Sequence, residues 1–316
     1  MKAIVRRAYG APEIVLTCED VDTPLVRDDG VLIRVRAASV NPFDRHLIRG
    51  EPFFMRAFAG GLRTPKDIRT GHDVAGQIEA VGAKVTRFQP GQGVFGRSRG
   101  AFAEYVCAGE NGLALKPATI SFEQAGAVAI AGTTALQALR DKGRIQAGQR
   151  VLINGASGGV GTFAVQIARA FGADVSGVCS TRNVDMVRSL GASRVIDYTT
   201  EDFTRGRERY DLIIDAVGNR SMLECRRILR STGAYVSVVG SPMAPLLSPF
   251  VSQRMVMLTL RTIPATDLAI LKELMEAGQV APVIDRTYSL SAVADAIRYI
   301  ETGHARGKVA ITIASS

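Results

Sequence analysis

The chain has 316 residues, 47% of them hydrophobic, and its 39 Lys and Arg against 30 Asp and Glu give a net charge of +9. That length suggests about two domains, and no apolar run approaches the roughly 20 residues that span a bilayer, so no membrane segment is expected. The basic residues are dispersed, without a dense block or an RNA-recognition signature, so nucleic acid is not an expected partner.

Four scattered cysteines, Cys18, Cys107, Cys179 and Cys225, include no Cys-x-x-Cys pair. They predict neither a disulfide framework nor a zinc knuckle. Met1-Lys2-Ala3-Ile4-Val5 reads as the start of a strand rather than a signal peptide, and a reducing cytoplasm is expected. Residues 1–115 are rich in strand signals. Residues 31–38 alternate in part like a half-buried strand, and 76–81 alternate more clearly before Gly82. Asp28-Asp29-Gly30 and Gln89-Pro90-Gly91 mark turns between such runs. From 120 to 264 strands and helices take turns. Strands are expected at 151–153, 174–179, 194–197, 211–215, 234–239 and 256–260, with helices at 162–171, 183–190 and 221–229. This is the pattern of a doubly wound parallel sheet. A helix at 267–277, a strand at 283–288, a helix at 292–301 and a strand at 309–313 follow. The last strand lies beyond the sheet, so the tail is expected to return to the first domain. The expected domains are 1–119, an inserted 120–264, and 265–316 completing the first.

The strand at 151–153 runs into Gly155-Ala156-Ser157-Gly158-Gly159-Val160-Gly161 and then a helix. Gly155 allows a tight turn, Gly158 lets a pyrophosphate approach bare backbone, and Gly161 lets the helix pack closely on the strand. The helix N-terminus offers unpaired N–H groups to phosphates. A dinucleotide site follows, with Ser157, Gly159 and Val160 also in contact. Folds specific for NAD place an acid at the end of the second strand. Here that stretch reads Cys179-Ser180-Thr181-Arg182-Asn183, and Asp174 stands at the opposite end. Ser180, Thr181 and Arg182 suit a 2′-phosphate, so NADPH is expected over NADH; an exposed helix-start arginine is the other reading of Arg182. Val217, Gly240 and Ser241 complete the expected cofactor contacts.

Several segments, in this order, carry a family resemblance. They are residues 38–44 (Ala-Ser-Val-Asn-Pro-Phe-Asp), 71–76 (Gly-His-Asp-Val-Ala-Gly), 91–96 (Gly-Gln-Gly-Val-Phe-Gly) and 101–105 (Ala-Phe-Ala-Glu-Tyr). Residues 131–135 (Ala-Gly-Thr-Thr-Ala), the glycine loop, 195–198 (Val-Ile-Asp-Tyr) and 303–308 (Gly-His-Ala-Arg-Gly-Lys) complete the set. Over essentially the whole chain the sequence resembles the medium-chain dehydrogenase/reductase superfamily, in its zinc-free quinone oxidoreductase and alkenal (enone) reductase branch. The resemblance implies an α/β architecture, a Rossmann sheet inserted in a β-rich GroES-like catalytic domain. It also implies hydride transfer from NADPH to a quinone or a conjugated carbonyl. Tyr198 sits at a position resembling a second adenosine-phosphate contact, and Thr133 is expected to begin a helix and touch the nicotinamide phosphate. Zinc members of the superfamily use a Cys, a His and a second Cys. Here Asn41 and His72 stand at the first two positions, and 129–132 has no cysteine. The structural zinc lobe is replaced by Arg97-Ser98-Arg99-Gly100. One histidine does not hold a catalytic zinc, so no metal is expected.

Without a metal, other donors must stabilise the charge that develops on the substrate oxygen, and Asn41 is the expected amide donor. Asp44 orders its loop or takes part in catalysis. His72 is a wall or hydrogen-bonding residue or a catalytic one. His46 is a proton source or a surface residue. Phe53, Phe54 and Phe58 line the substrate pocket, the core or an oligomer contact, a homodimer being one possibility. Arg306 and Lys308 either approach the anionic cofactor or sit in an exposed turn. Asn41 is expected to face the nicotinamide, opposite Gly240-Ser241 and the 303–308 tail. Two other functions stay open: a zinc-free carbonyl or alcohol dehydrogenase, and a non-catalytic NADPH-binding sensor or structural protein.

Overall fold

A computed structural model of the chain describes residues 1–239, 253–258 and 262–314, so Gly240 and Ser241 lie outside the described residues. Its first strands are β1 (Lys2–Arg6), β2 (Leu16–Asp20), β3 (Gly30–Val40), β4 (Asp73–Val81), β5 (Gly93–Arg97), β6 (Tyr105–Gly109) and β7 (Leu113–Leu115). The alternating region supplies β8 (Arg150–Asn154), β9 (Asp174–Cys179), β10 (Arg194–Asp197), β11 (Tyr210–Asp215), β12 (Leu229–Ser237) and β13 (Arg254–Met257). The tail adds β14 (Ile284–Ser289) and β15 (Lys308–Thr312).

Two units divide the chain. The first comprises Met1–Ile130, Ile263–Glu276 and Ile284–Ser316; the second comprises Ala131–Thr262 and Ala277–Val283. Residues 120–130, expected in the inserted domain, fall in the first unit. Gly126 shows why: a Cβ there would lie 3.0 Å from the backbone carbonyl of Ala37 in β3, so this turn sits directly on the first sheet. Residues 277–283, expected in the tail, fall in the second unit. There Ala281 exchanges two hydrogen bonds with the Gln166 side chain, at 2.8 and 3.0 Å.

In the first unit the sheet runs β14-β15-β3-β4-β5-β7, with β6 also paired to β3. Central β3 is buried along nearly its whole length, and Ile33, Val35, Val74, Val94, Phe102 and Val309 form the heart of the core. Register places the chemistry. Ser39 pairs with Asp73 across β3 and β4, and Val40 pairs with Val309 across β3 and β15. Asn41, His72 and Lys308 therefore gather at one end of three adjacent strands. Beyond Asn41 the helix Pro42–Arg49 begins, with proline at a position where its missing N–H costs nothing. Gly50 ends that helix in the left-handed conformation, at φ 64°.

Among the described residues the second unit has a six-stranded sheet, order β10-β9-β8-β11-β12-β13, all its pairs parallel. The order reverses direction between β8 and β11, the switch point at which doubly wound sheets bind ligands. Val151, Leu152 and Ile153 are fully buried, as a parallel strand covered on both faces requires. The last strand is described over Arg254–Met257; of the expected 256–260, residues 259 and 260 lie outside the described residues. Among the described residues no helix is long and apolar enough to cross a membrane.

Candidate active site

The glycine loop joins β8 to the helix Gly159–Ala170, with Gly158 as its N-cap. Gly155 has φ +83°, and a Cβ there would lie 2.5 Å from Val217 Cγ2. At Gly161 a Cβ would stand 2.0 Å from the Gly155 carbonyl oxygen. Packing therefore demands glycine at both positions. Gly158 differs. Its φ is −84°, and a Cβ would meet only the Gly155 carbonyl, at 3.4 Å. Nothing in the fold requires glycine there, and its effect is to leave backbone bare at the start of a twelve-residue helix. The first-turn N–H groups of that helix have no acceptor inside it. A network below the loop holds it in place. The Asn154 amide donates to Asp215 Oδ1 and to Asn219 Oδ1, each at 2.9 Å. Asp215 also accepts from the backbone of Val217 and Gly218, and from Tyr235 at 2.6 Å. Burial, then the bond to Asp215, pushes the Tyr235 phenol well above its ordinary range.

At the far ends of β9 and β10, Cys179 pairs with Asp197, and Tyr198 N–H donates to the Cys179 carbonyl at 3.0 Å. Thr181 Oγ1 donates to Asp197 Oδ2 at 2.6 Å. The Asn183 amide bridges Ser157 of the glycine loop and Ser180 beyond β9, each at 3.1 Å. Its Oδ1 is buried without a hydrogen-bond partner, as is Thr133 Oγ1. Arg182 is exposed, and Tyr198 and Val217 are each nearly half exposed. Thr133 lies inside the helix Ala129–Gln137 rather than at its start. Bare backbone, a helix start and the orphaned Asn183 oxygen beside one loop fit a dinucleotide.

The first unit holds a second polar cluster. Asn41 is 2% exposed, and all its side-chain polar atoms are engaged. Its Nδ2 donates to Asp73 Oδ2 at 2.9 Å and lies 3.3 Å from Asp44 Oδ2. Its Oδ1 accepts from the Lys308 ammonium, which fixes the orientation of the amide. Asp44 Oδ2 accepts from the Asn41 backbone at 2.9 Å, and Asp44 Oδ1 lies 2.6 Å from His72 Nδ1. Asp73 accepts from Ser39 Oγ at 2.7 Å and from Ile130 N–H at 2.9 Å. Burial pushes the Lys308 ammonium below its usual pKa, while Asp73 and Asp44 pull it back up. The Phe43 ring meets His72 edge-on at 4.9 Å. The helix carrying Asp44 is anchored by Arg45 and Arg49, both paired with Glu301.

These positions correct three expectations. Asn41 is not a free amide donor, because carboxylates already take its N–H groups. Lys308 is neither in an exposed turn nor available to a phosphate: it is 4% exposed and bonded to Asn41. Phe53, Phe54 and Phe58 are not core, being 62%, 63% and 56% exposed. Among the remaining candidates, Arg306 is exposed, with its backbone N–H on Asp285 at 2.9 Å. His46 Nδ1 lies 2.7 Å from the Glu51 carbonyl. Asp73, Asn183, Asp197 and Asp215 were not singled out for the site. Asp73, next to His72, and Asp197, in the 195–198 segment, both stood in motifs of the resemblance, whereas Asp215 offered no sequence signal. A zinc ion does not fit the polar cluster of the first unit. Its single histidine is tied to Asp44, no cysteine is present, and a lysine ammonium occupies the centre. Among the described residues no group of three His, Cys, Asp or Glu could hold a metal.

A doubly wound sheet with a glycine-rich loop, joined to a β-rich unit with a buried polar cluster, defines a nucleotide-dependent dehydrogenase or reductase class of fold. Comparison narrows this. The alcohol dehydrogenase GroES-like domain family matches residues 27–118, and a family described as zinc-binding dehydrogenase matches 190–311. The 2-methylene-furan-3-one reductase of Solanum lycopersicum is 32% identical over 98% of this chain and 79% of its own length. The chloroplastic NADPH-dependent alkenal/one oxidoreductase of Arabidopsis thaliana is also 32% identical, over the same shares. The quinone oxidoreductase structure from Coxiella burnetii superposes with a TM-score of 0.88 at 32% identity, covering 99% of both chains. The chain belongs to the medium-chain dehydrogenase/reductase superfamily, in the branch of quinone oxidoreductases and alkenal reductases.

Proposed function

We propose that the chain is an NADPH-dependent oxidoreductase that reduces quinones or α,β-unsaturated carbonyls without a metal. The observation that carries this reading is Gly158, a glycine that the fold does not need at the one point where a phosphate requires bare backbone. Relatives named as NADPH-dependent alkenal/one oxidoreductase and 2-methylene-furan-3-one reductase support the substrate class. Bound NADPH supplies a hydride from its nicotinamide ring. The loop Gly155–Gly161 and the helix start after it hold the pyrophosphate. Ser180, Arg182 and Tyr198 receive the 2′-phosphate, the Thr181 hydroxyl being spent on Asp197, and the orphaned Thr133 and Asn183 oxygens take further cofactor contacts.

In the first unit the acid is His72. His72 Nδ1–H donates to Asp44, so the proton given to the substrate oxygen leaves Nε2 of the imidazolium, which solvent then reprotonates. Asn41 and Lys308 are positioning residues that lock Asp44 and Asp73. The exposed Phe53, Phe54 and Phe58 offer an apolar wall to the substrate; a homodimer interface is the competing use of those rings, and sedimentation distinguishes the two. Free cysteines at 18, 107, 179 and 225 suit a reducing cytoplasm.

Anaerobic mixing of NADPH with a panel of enones and quinones tests the reading. Loss of nicotinamide absorbance with a saturated carbonyl or hydroquinone product is expected, surviving exhaustive chelation. An alcohol product would favour a carbonyl reductase, and tight binding without turnover would favour a sensor.

A further inference from the structure

The end of β9 carries no acid in sequence, yet the fold delivers one. Asp197 closes β10 in register with Cys179, and its Oδ2 accepts from Thr181 Oγ1 at 2.6 Å. Its Oδ1 accepts from the backbone and hydroxyl of Thr199, at 2.9 and 2.7 Å. Those bonds lower the pKa of the carboxylate, the Thr181 hydroxyl contributing most. Thr181 holds the carboxylate through its hydroxyl and also through its backbone, yet the side chain is only half-buried, so a ribose hydroxyl can reach it. An acid at the end of the second strand normally accepts the adenosine ribose 2′-hydroxyl. Here the neighbouring strand supplies it, one hydrogen bond from the residue expected to receive the 2′-phosphate.

We propose that Asp197 sets the cofactor discrimination of this chain: it accepts the ribose 2′-hydroxyl of NADH and repels the 2′-phosphate of NADPH, so that both cofactors bind. The inference rests on the reading of the glycine loop as a dinucleotide site. A turn cap with no cofactor role is the competing account, since the Thr199 bonds alone would justify the residue.

Calorimetric titration of the full chain with NADPH and with NADH decides between them. The wild-type chain should bind both. Asp197→Asn keeps the size of the side chain and removes its charge. It should tighten NADPH roughly five- to tenfold, as expected for relief of one close charge contact in water, and should weaken NADH. Asp197→Ser, which keeps an acceptor for Thr181, should move the two affinities in the same opposite directions; thermal melting confirms that each variant folds. Equal changes for the two cofactors, or none, would overturn the proposal, as would a wild-type chain that binds NADPH alone. A wild-type chain that binds neither cofactor would instead overturn the dinucleotide reading beneath it.

Discussion

Lys308 donates its buried ammonium to Asn41 Oδ1, a contact between residues 267 positions apart that joins the last strand to the end of β3. The pair explains why a lysine can sit at 4% exposure. Asn41 passes the interaction on to Asp73 and Asp44, and Asp73 Oδ2 lies 3.5 Å from the ammonium itself. Two carboxylates, one ammonium and one imidazole then share a single buried site.

Removing either end of that contact leaves buried polar groups unpaired. Lys308→Met should cost about 3–5 kcal/mol, because it leaves Asp73 buried without its ammonium partner. Asn41→Ala should cost less, about 1–3 kcal/mol for orphaned neighbours. The two should be coupled in a double-mutant cycle by at least about 0.5 kcal/mol. Chemical denaturation of the four proteins measures this; strictly additive effects would mean that the contact does not organise the cluster.

Glu301 gives a stability signal with a definite pH window. Its carboxyl is held below the usual range first by Arg49 and then by Arg45. A depressed folded pKa means that the unfolded chain binds protons first, so the stabilisation is complete above about the unfolded value of 4.5 and is lost as pH falls through the folded value. Glu301→Gln should lower stability at neutral pH by roughly 1 kcal/mol. Melting curves of the variant and the wild type should converge in acid; a constant gap at all pH values would show that the ion pair contributes nothing.

Gly158 and Gly161 should separate binding from folding. Gly158→Ala should fold with an unchanged melting temperature, because its Cβ meets only the Gly155 carbonyl at 3.4 Å. NADPH affinity should nevertheless fall about tenfold or more, since the methyl group stands where backbone must meet phosphate. Gly161→Ala should destabilise the second unit by roughly 1–3 kcal/mol, because its Cβ would overlap the Gly155 carbonyl. Calorimetric scanning with and without NADPH reads both.

His72→Gln should reduce turnover about 100-fold or more and leave the NADPH dissociation constant unchanged, as loss of a general acid does. Asp44→Asn should act in the same direction through His72, and the pH–rate profile of that variant should shift. A turnover number unmoved by His72→Gln would place the proton donor elsewhere.

Strand and helix positions were largely legible because each strand of the parallel sheet is a short apolar run between turn residues. Asp174–Cys179 and Arg194–Asp197 coincide with their expected bounds. The glycine loop was legible for the same local reason. The polar cluster was not, because its partners come from four separate segments and meet only through sheet register. Asn41 illustrates the difference: its identity marked the site, but its donors are spent on Asp73, a fact that no window around residue 41 contains. Asp197 is similar, since its proximity to Thr181 depends on the pairing of β9 with β10.

Isotope placement tests hydride transfer most directly. NADPH carrying two deuterium atoms at the nicotinamide C4 is mixed anaerobically with a simple enone and the wild-type chain, and the product is analysed by NMR. Hydride transfer to the conjugated carbonyl should give a saturated ketone with one deuterium on the former β-carbon and hydrogen from solvent on the α-carbon. Deuterium on a carbinol carbon, or consumption of NADPH without deuterium in any product, would contradict it.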